Sequence, residues 1–73
     1  MANKGASAVY RVTQVIGTSS QSWEDATRNA VKTAAGTLRD LRIAEIEKLD
    51  VKIENGKVTQ FRARLSLSFK YGA

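Results

Sequence analysis

Apolar and polar positions alternate through most of the second half of the chain. Residues 43–54 and 57–70 form two such runs, which meet at Glu54-Asn55-Gly56-Lys57. Asn-Gly between alternating runs marks a two-residue type I′ turn, because both central residues of that turn need positive φ. The pattern predicts a β-hairpin with residue 54 opposite residue 57. Carried inward without a break, this register sets Ala44 and Ile46 against Leu67 and Leu65, and Lys48 and Asp50 against Ala63 and Phe61. On the other face it sets Ile43, Glu45, Glu47, Leu49, Val51 and Ile53 against Ser68, Ser66, Arg64, Arg62, Gln60 and Val58. Phe61, Ala63, Leu65, Leu67 and Phe69 are expected to form the floor of a core, while the second face is mixed.

Upstream, residues 8–16 alternate as well, with Tyr10, Val12, Gln14 and Ile16 on one side and Val9, Arg11, Thr13 and Val15 on the other. This reads as a strand with apolar residues on both faces, ended by Gly17. Ser22-Trp23-Glu24-Asp25 reads as a helix start. Ser22 can accept from the first free amides, the two acids suit the positive end of the dipole, and Asp25 stands where a capping box has its reciprocal acid. Ala30, Val31, Ala34, Leu38 and Leu41 form an apolar stripe at helical spacing, and the helix is expected to reach Asp40, with Arg39 favouring its C-terminal dipole. Gly36 costs about 1 kcal/mol relative to alanine inside a helix and reads as a close-approach point or a tolerated weakness. The fold class is α+β: a βαββ unit with a three-stranded antiparallel sheet, order 1-3-2, and one helix on one face. Residues 1–7 are expected to be a flexible tail before a single domain over 8–73.

A single helix leaves the second sheet face uncovered. Ile43, Leu49, Val51 and Ile53 would stand in water there, near Val9 and Val15 or their alternates. Contiguous exposed apolar surface of this kind marks an interface. The same face would place Glu47 opposite Arg64, and Arg62 opposite Leu49 with no acid directly across. Length points the same way, since a domain of 73 residues buries only about 60% of its unfolded surface. The chain has no Cys and no His, so disulfides and thiolate metal sites are excluded. Self-association or an oxygen-ligated ion remains as reinforcement. With no long apolar run and no signal-peptide pattern, a cytoplasmic protein with no membrane partner is the expectation.

The net charge of +5 comes from 12 basic and 7 acidic side chains. The basic residues are dispersed rather than striped, and Tyr10, Phe61, Phe69 and Tyr71 are expected mostly on the core side. Both points argue against a nucleic-acid surface, which interleaves aromatics with cations. A basic nucleic-acid-binding module stays as an alternative, recognisable by steeply salt-dependent binding. No catalytic constellation is present: there is no His or Cys pair, no glycine-rich phosphate loop and no EF-hand spacing. Glu45 and Glu47 share a strand face but read as acids matched by arginines. Trp23 reads as a packing anchor. The chain is not expected to be an enzyme.

Several stretches resemble the dodecins. They are Tyr10-Arg11-Val12, Val15-Ile16-Gly17-Thr18-Ser19, Ser22-Trp23-Glu24-Asp25-Ala26, Leu41-Arg42-Ile43-Ala44-Glu45-Ile46 and Leu65-Ser66-Leu67-Ser68-Phe69. The resemblance spans about residues 9–70. It implies a hollow homododecameric shell of cubic symmetry that stores or quenches small ligands rather than transforming them. Dodecins typically bind riboflavin, lumichrome or FMN in stacked pairs between a tryptophan on the second strand and a glutamine on the third. The matching positions here are Ile43 and Arg62. Isoleucine has no π-face and arginine supplies donors only, so flavin binding of the usual kind is not expected, although flavin sequestration stays as an alternative.

The chain looks more like the calcium-binding dodecin branch, which shares the Arg42-Ile43-Ala44 and Ser22-Trp23-Glu24 patterns. From chemistry alone, Glu45, Glu47, Asp50 or Glu54 could supply oxygens for calcium, with several subunits contributing at a symmetry axis. Arg62 and Arg64 could instead hold the phosphates of a nucleotide or of coenzyme A. The candidate ligand-binding residues are thus Ile43, Glu45, Arg62 and Arg64, and the candidate metal ligands Glu45, Glu47 and Asp50.

Overall fold

The alternating runs and their punctuation become four elements: β1 (Tyr10–Ser19), α1 (Trp23–Ala35), β2 (Leu41–Glu54) and β3 (Lys57–Lys70). They come from a computed structural model that describes residues 9–70. The expected tail and Tyr71 lie outside the described residues. The strands form one antiparallel sheet in the order β1-β3-β2, as the hydrophobic pattern requires. At the hairpin tip Asn55 (φ 52°) and Gly56 (φ 74°) are both left-handed, which is the type I′ geometry that Asn-Gly favours.

The core lies between α1 and the odd-numbered residues of β3. Ala63, Leu65 and Leu67 are fully buried beneath Ala26, Ala30 and Ala34, with Val15, Val31, Leu38 and Leu41 packed around them. Burying each leucine contributes about 1.5–3 kcal/mol. Phe61 and Phe69, expected in the same floor, are only half-buried at its two ends. The Phe61 ring meets Trp23 edge-on at 5.2 Å, and the Arg11 guanidinium lies 5.9 Å from the Phe69 ring centre.

An alanine-rich helix face lets α1 lie close to the sheet, and the close approach is at Gly17 rather than Gly36. Gly17 does not end β1; it sits inside the strand, buried under the helix. Gly36 caps a helix that stops at Ala35, five residues short of the expected Asp40; its amide donates to the Thr33 carbonyl, and the Thr37 and Leu38 amides donate to the Ala34 carbonyl. Lys32, not Arg39, therefore supplies the basic residue of the last turn.

The N-terminal cap forms, with a twist on the expected box. Ser22 Oγ accepts from the Asp25 amide at 3.0 Å. The Asp25 carboxylate reaches back past Ser22 and accepts from Ser19 Oγ at 2.7 Å. That buried hydroxyl in turn accepts from the Gln21 and Ser22 amides, so one serine at the end of β1 organises the whole β1–α1 connection.

The register of the hairpin is where structure and expectation part. Glu54 pairs with Lys57 and Ile53 with Val58, but irregularities follow between Lys52 and Ile53, between Ile46 and Lys48, and between Leu41 and Ile43. Between the first two, β2 is displaced by one residue. Lys48 pairs with Arg64, Leu49 with Ala63, Asp50 with Arg62, Val51 with Phe61 and Lys52 with Gln60. A one-residue slip moves every side chain to the opposite face. Leu49 and Val51 consequently lie on the helix side, and Lys48 and Asp50 on the open side, the reverse of the unbroken register. The physical reason is apolar contact: the slip places Leu49 and Val51 beside Ala63 and Phe61 on the helix side, with Val51 half-buried and Leu49 still 47% exposed, and sets three charged side chains in water.

Candidate functional site on the open sheet face

The face away from α1 is built by alternate residues of all three strands. β1 contributes Tyr10, Val12, Gln14, Ile16 and Thr18; β3 contributes Lys70, Ser68, Ser66, Arg64 and Arg62 directly across from them. β2 contributes Ile43 opposite Ser68, Glu45 opposite Ser66, Lys48 opposite Arg64 and Asp50 opposite Arg62. All four sequence-predicted ligand residues, Ile43, Glu45, Arg62 and Arg64, share this face. Of the residues expected to leave apolar surface in water, Val9, Ile43, Leu49 and Ile53 do so, being 62%, 58%, 47% and 62% exposed, and Ile43 does so on this face. Leu49, Val51 and Val15 belong to the helix side, and the open face takes Tyr10, Val12 and Ile16 instead. Tyr10 is thus not on the core side; it stands 44% exposed.

Arg62 has an acid directly across, contrary to the unbroken register. Asp50 accepts from Arg62 Nε at 2.7 Å and from Nη2 at 3.3 Å, a fork-to-fork pair that is stronger and more directional than a single contact. This hydrogen bond, reinforced by the charges of Arg62, Arg64 and Lys48 and opposed by partial desolvation, holds the Asp50 carboxyl below its usual range. The same bond raises the Arg62 guanidinium further above its already high value. From the helix side, Trp23 Nε1 donates to the Asp50 backbone carbonyl at 3.0 Å. Trp23 is therefore the packing anchor expected of it, pinned by Phe61 and by the strand whose carboxylate works on the opposite face.

Glu47 is the extra residue of the central irregularity. It does not meet Arg64. Its carboxylate accepts from Gln14 Nε2 at 2.8 Å and from the nearly buried Ser66 hydroxyl, so a β2 side chain reaches across β3 to β1. Among the described residues, Glu45 and Arg64 make no hydrogen bond or ion pair through their side chains, and Arg64 lines a depression of about 430 Å³ with Gln14, Val15 and Ile16. The three candidate metal ligands are thus in unequal states: Asp50 is held by Arg62, Glu47 by Gln14 and Ser66, and Glu45 stands open. Among the described residues no three acids gather into a cluster that could hold a metal ion. No helix among them is long and apolar enough to cross a membrane.

Sequence reasoning missed the roles of Ser66, Gln14 and the Asp50–Arg62 pair. The available signal was a break in alternation. Ala44 and Ile46 are followed by Leu49 and Val51, a step of three where a strand face needs a step of two. That step is what an inserted residue does to a strand.

The dodecin family model matches residues 9–72. Calcium dodecin from Mycobacterium tuberculosis is 41% identical over 64 residues, covering 86% of this chain and 89% of that protein. A solved dodecin from Streptomyces coelicolor superposes with a TM-score of 0.86 at 38% identity, covering 93% of this chain and 97% of that one. The solved structure of the calcium-chelating M. tuberculosis calcium dodecin, described with a calcium-binding site, gives 0.78 at 38% identity, covering 88% and 91%. The βαββ topology, the family model and a relative at this identity agree, and the chain belongs to the dodecin family.

Proposed function

We propose that this chain is the subunit of a hollow, twelve-membered homo-oligomeric shell that holds a small ligand or ion without catalysing a reaction on it. The observation that carries the proposal is the open face. Tyr10, Val12, Ile16 and Ile43 stand in solvent there, on a subunit whose size makes its stability alone marginal. Copies of the same chain are the economical cover. Membership of the dodecin family supports a closed assembly of this kind.

Calcium is the ion favoured by the 41% identity to calcium dodecin. Calcium takes about 6–8 oxygen ligands, and one subunit does not gather them. Glu45 is the candidate acid with a free carboxylate, so the proposed site draws Glu45 from more than one copy, with backbone or water oxygens completing the shell. Asp50 or Glu47 would join only by releasing Arg62, or Gln14 and Ser66. Flavin binding of the stacked type is disfavoured by Ile43 and by Arg62, whose guanidinium is already committed to Asp50. A second reading, a phosphate-bearing ligand, is favoured by the open Arg64 beside Lys48.

Light scattering tests the shell: a mass twelve times the 8.0 kDa chain is expected, and a monomer in dilute neutral buffer overturns it. Calcium binding predicts a rise in melting temperature that EDTA reverses, and a melt indifferent to both removes calcium. Riboflavin fluorescence is expected to stay unquenched at micromolar protein; quenching restores the flavin reading.

A further inference from the structure

We infer that Asp50 is a selectivity residue of the open face: by clamping the Arg62 guanidinium it withholds that group from anionic ligands. The inference rests on the open face being the ligand face of the shell.

Four observations carry it. The first is placement. The irregularities between Ile53 and Lys52 and at Glu47 bound a stretch of β2 displaced by one residue, in which Asp50, rather than Leu49, stands directly across from Arg62. The second is geometry. Both carboxylate oxygens engage the guanidinium, at 2.7 and 3.3 Å through Nε and Nη2, which uses the edge of the fork that a phosphate would grip bidentately. The third is support. Asp50 is held from the far side of the sheet by the Trp23 indole on its carbonyl, and the Trp23 ring is braced on Phe61. The backbone under the carboxylate is therefore fixed by the packed layer. The fourth is the surroundings. Lys48 and Arg64 form the adjacent cross-strand pair on the same face, and Lys52, one position further along that face, is paired with Glu54 at 3.7 Å. Asp50 is the one acid among these open-face cations between residues 48 and 52. Removing its charge would leave Lys48, Arg62 and Arg64 contiguous.

An anion arriving at Arg62 must displace a carboxylate tethered to the same sheet, which competes at the high effective concentration of an intramolecular partner. Arg64 carries no such competitor. The face as built therefore presents one available guanidinium and one withheld, and discriminates against ligands that need both.

The test uses inorganic pyrophosphate as the probe, by isothermal titration of the assembled protein. Asp50→Asn keeps the backbone carbonyl that Trp23 uses and a neutral oxygen for Arg62, but removes the charge. It is expected to tighten pyrophosphate binding by about tenfold, the scale of one charge-assisted hydrogen bond. The gain is expected to vanish in Asp50→Asn combined with Arg62→Ala. It should also be absent in Glu24→Gln, which removes one negative charge from the first turn of α1, on the other side of the sheet. No tightening in Asp50→Asn, or a gain that survives loss of Arg62, overturns the inference.

Should Asp50→Asn fail to fold, the unsubstituted protein still decides. On pyrophosphate addition the Arg62 Nε–H resonance is expected to stay in place, and its movement overturns the proposal. Scattering mass is measured on every variant. Loss of the shell is thereby read separately from loss of selectivity.

Discussion

A Cβ placed on Gly17 would overlap the carbonyl oxygen of Ala26 and stand 2.7 Å from the Ala30 Cβ. Helix and strand backbones meet here with no side chain between them. Gly17→Ala must push α1 off the sheet, and overpacking of this kind costs about 1–3 kcal/mol. Gly36→Ala is the contrast. Its φ of −71° is ordinary, and the nearest atom to a new Cβ is the Thr33 carbonyl oxygen at 3.3 Å. Denaturant midpoints are expected to fall clearly for the first variant and to move little for the second.

The β1–α1 connection offers a graded pair of substitutions. Ser22→Ala removes the cap on the Asp25 amide and is expected to cost about 1 kcal/mol. Ser19→Ala should cost more. Its buried hydroxyl serves two amides and the Asp25 carboxylate, and each group left unpaired costs about 1–3 kcal/mol. Urea unfolding of the two variants side by side checks the order.

Leu65 and Leu67 are fully buried. Leu65→Ala is expected to destabilise by about 2–5 kcal/mol, a large share of what a domain of this size possesses. Far-ultraviolet dichroism in denaturant should show an early midpoint or no folded baseline.

The Asp50–Arg62 pair makes a signed prediction about pH. The folded-state value of Asp50 is lowered, chiefly by its hydrogen bond to Arg62. The stability it contributes is complete above the unfolded carboxylate value of about 3.9 and is lost as pH falls through the lowered folded value. The Arg62 shift is upward and acts only in strong alkali. On acidification from about pH 5 to below pH 3, the unsubstituted protein is expected to lose more melting temperature than Asp50→Asn. Equal losses would mean that the pair contributes nothing to acid stability.

Much of this architecture is legible in the sequence because local and tertiary signals agree. Asn55-Gly56 names its turn, the alanines of α1 name its buried face, and strand alternation with one helix leaves the order β1-β3-β2. The candidate site is legible only as a set of residues sharing a face. Its internal pairing depends on two irregularities, one between Ile53 and Lys52 and one at Glu47, neither marked by a glycine. Extending the turn register past the first of them assigns Asp50 to the wrong side and leaves Arg62 without its acid. Gly17 shows the same limit from the other side. A glycine followed by Thr-Ser-Ser looks like a strand end, and only the helix packed above it shows why a side chain is forbidden there. The ends of α1 divide likewise: the start is written in Ser22, but the stop at Ala35 falls before Leu38, an apolar residue that continues the stripe in sequence while packing from a turn.

The irregular register of β2 has one more consequence. In the order β1-β3-β2 this strand is an edge, fourteen residues long, with one row of backbone donors and acceptors facing outward. A flat edge of that length is a template for endless strand addition, the route to fibres. The breaks near residues 42 and 47 cut the template into short pieces whose backbone groups no longer line up for a straight incoming strand. The break at Glu47 that helps set Asp50 across from Arg62 thereby also blunts open-ended strand addition at this edge.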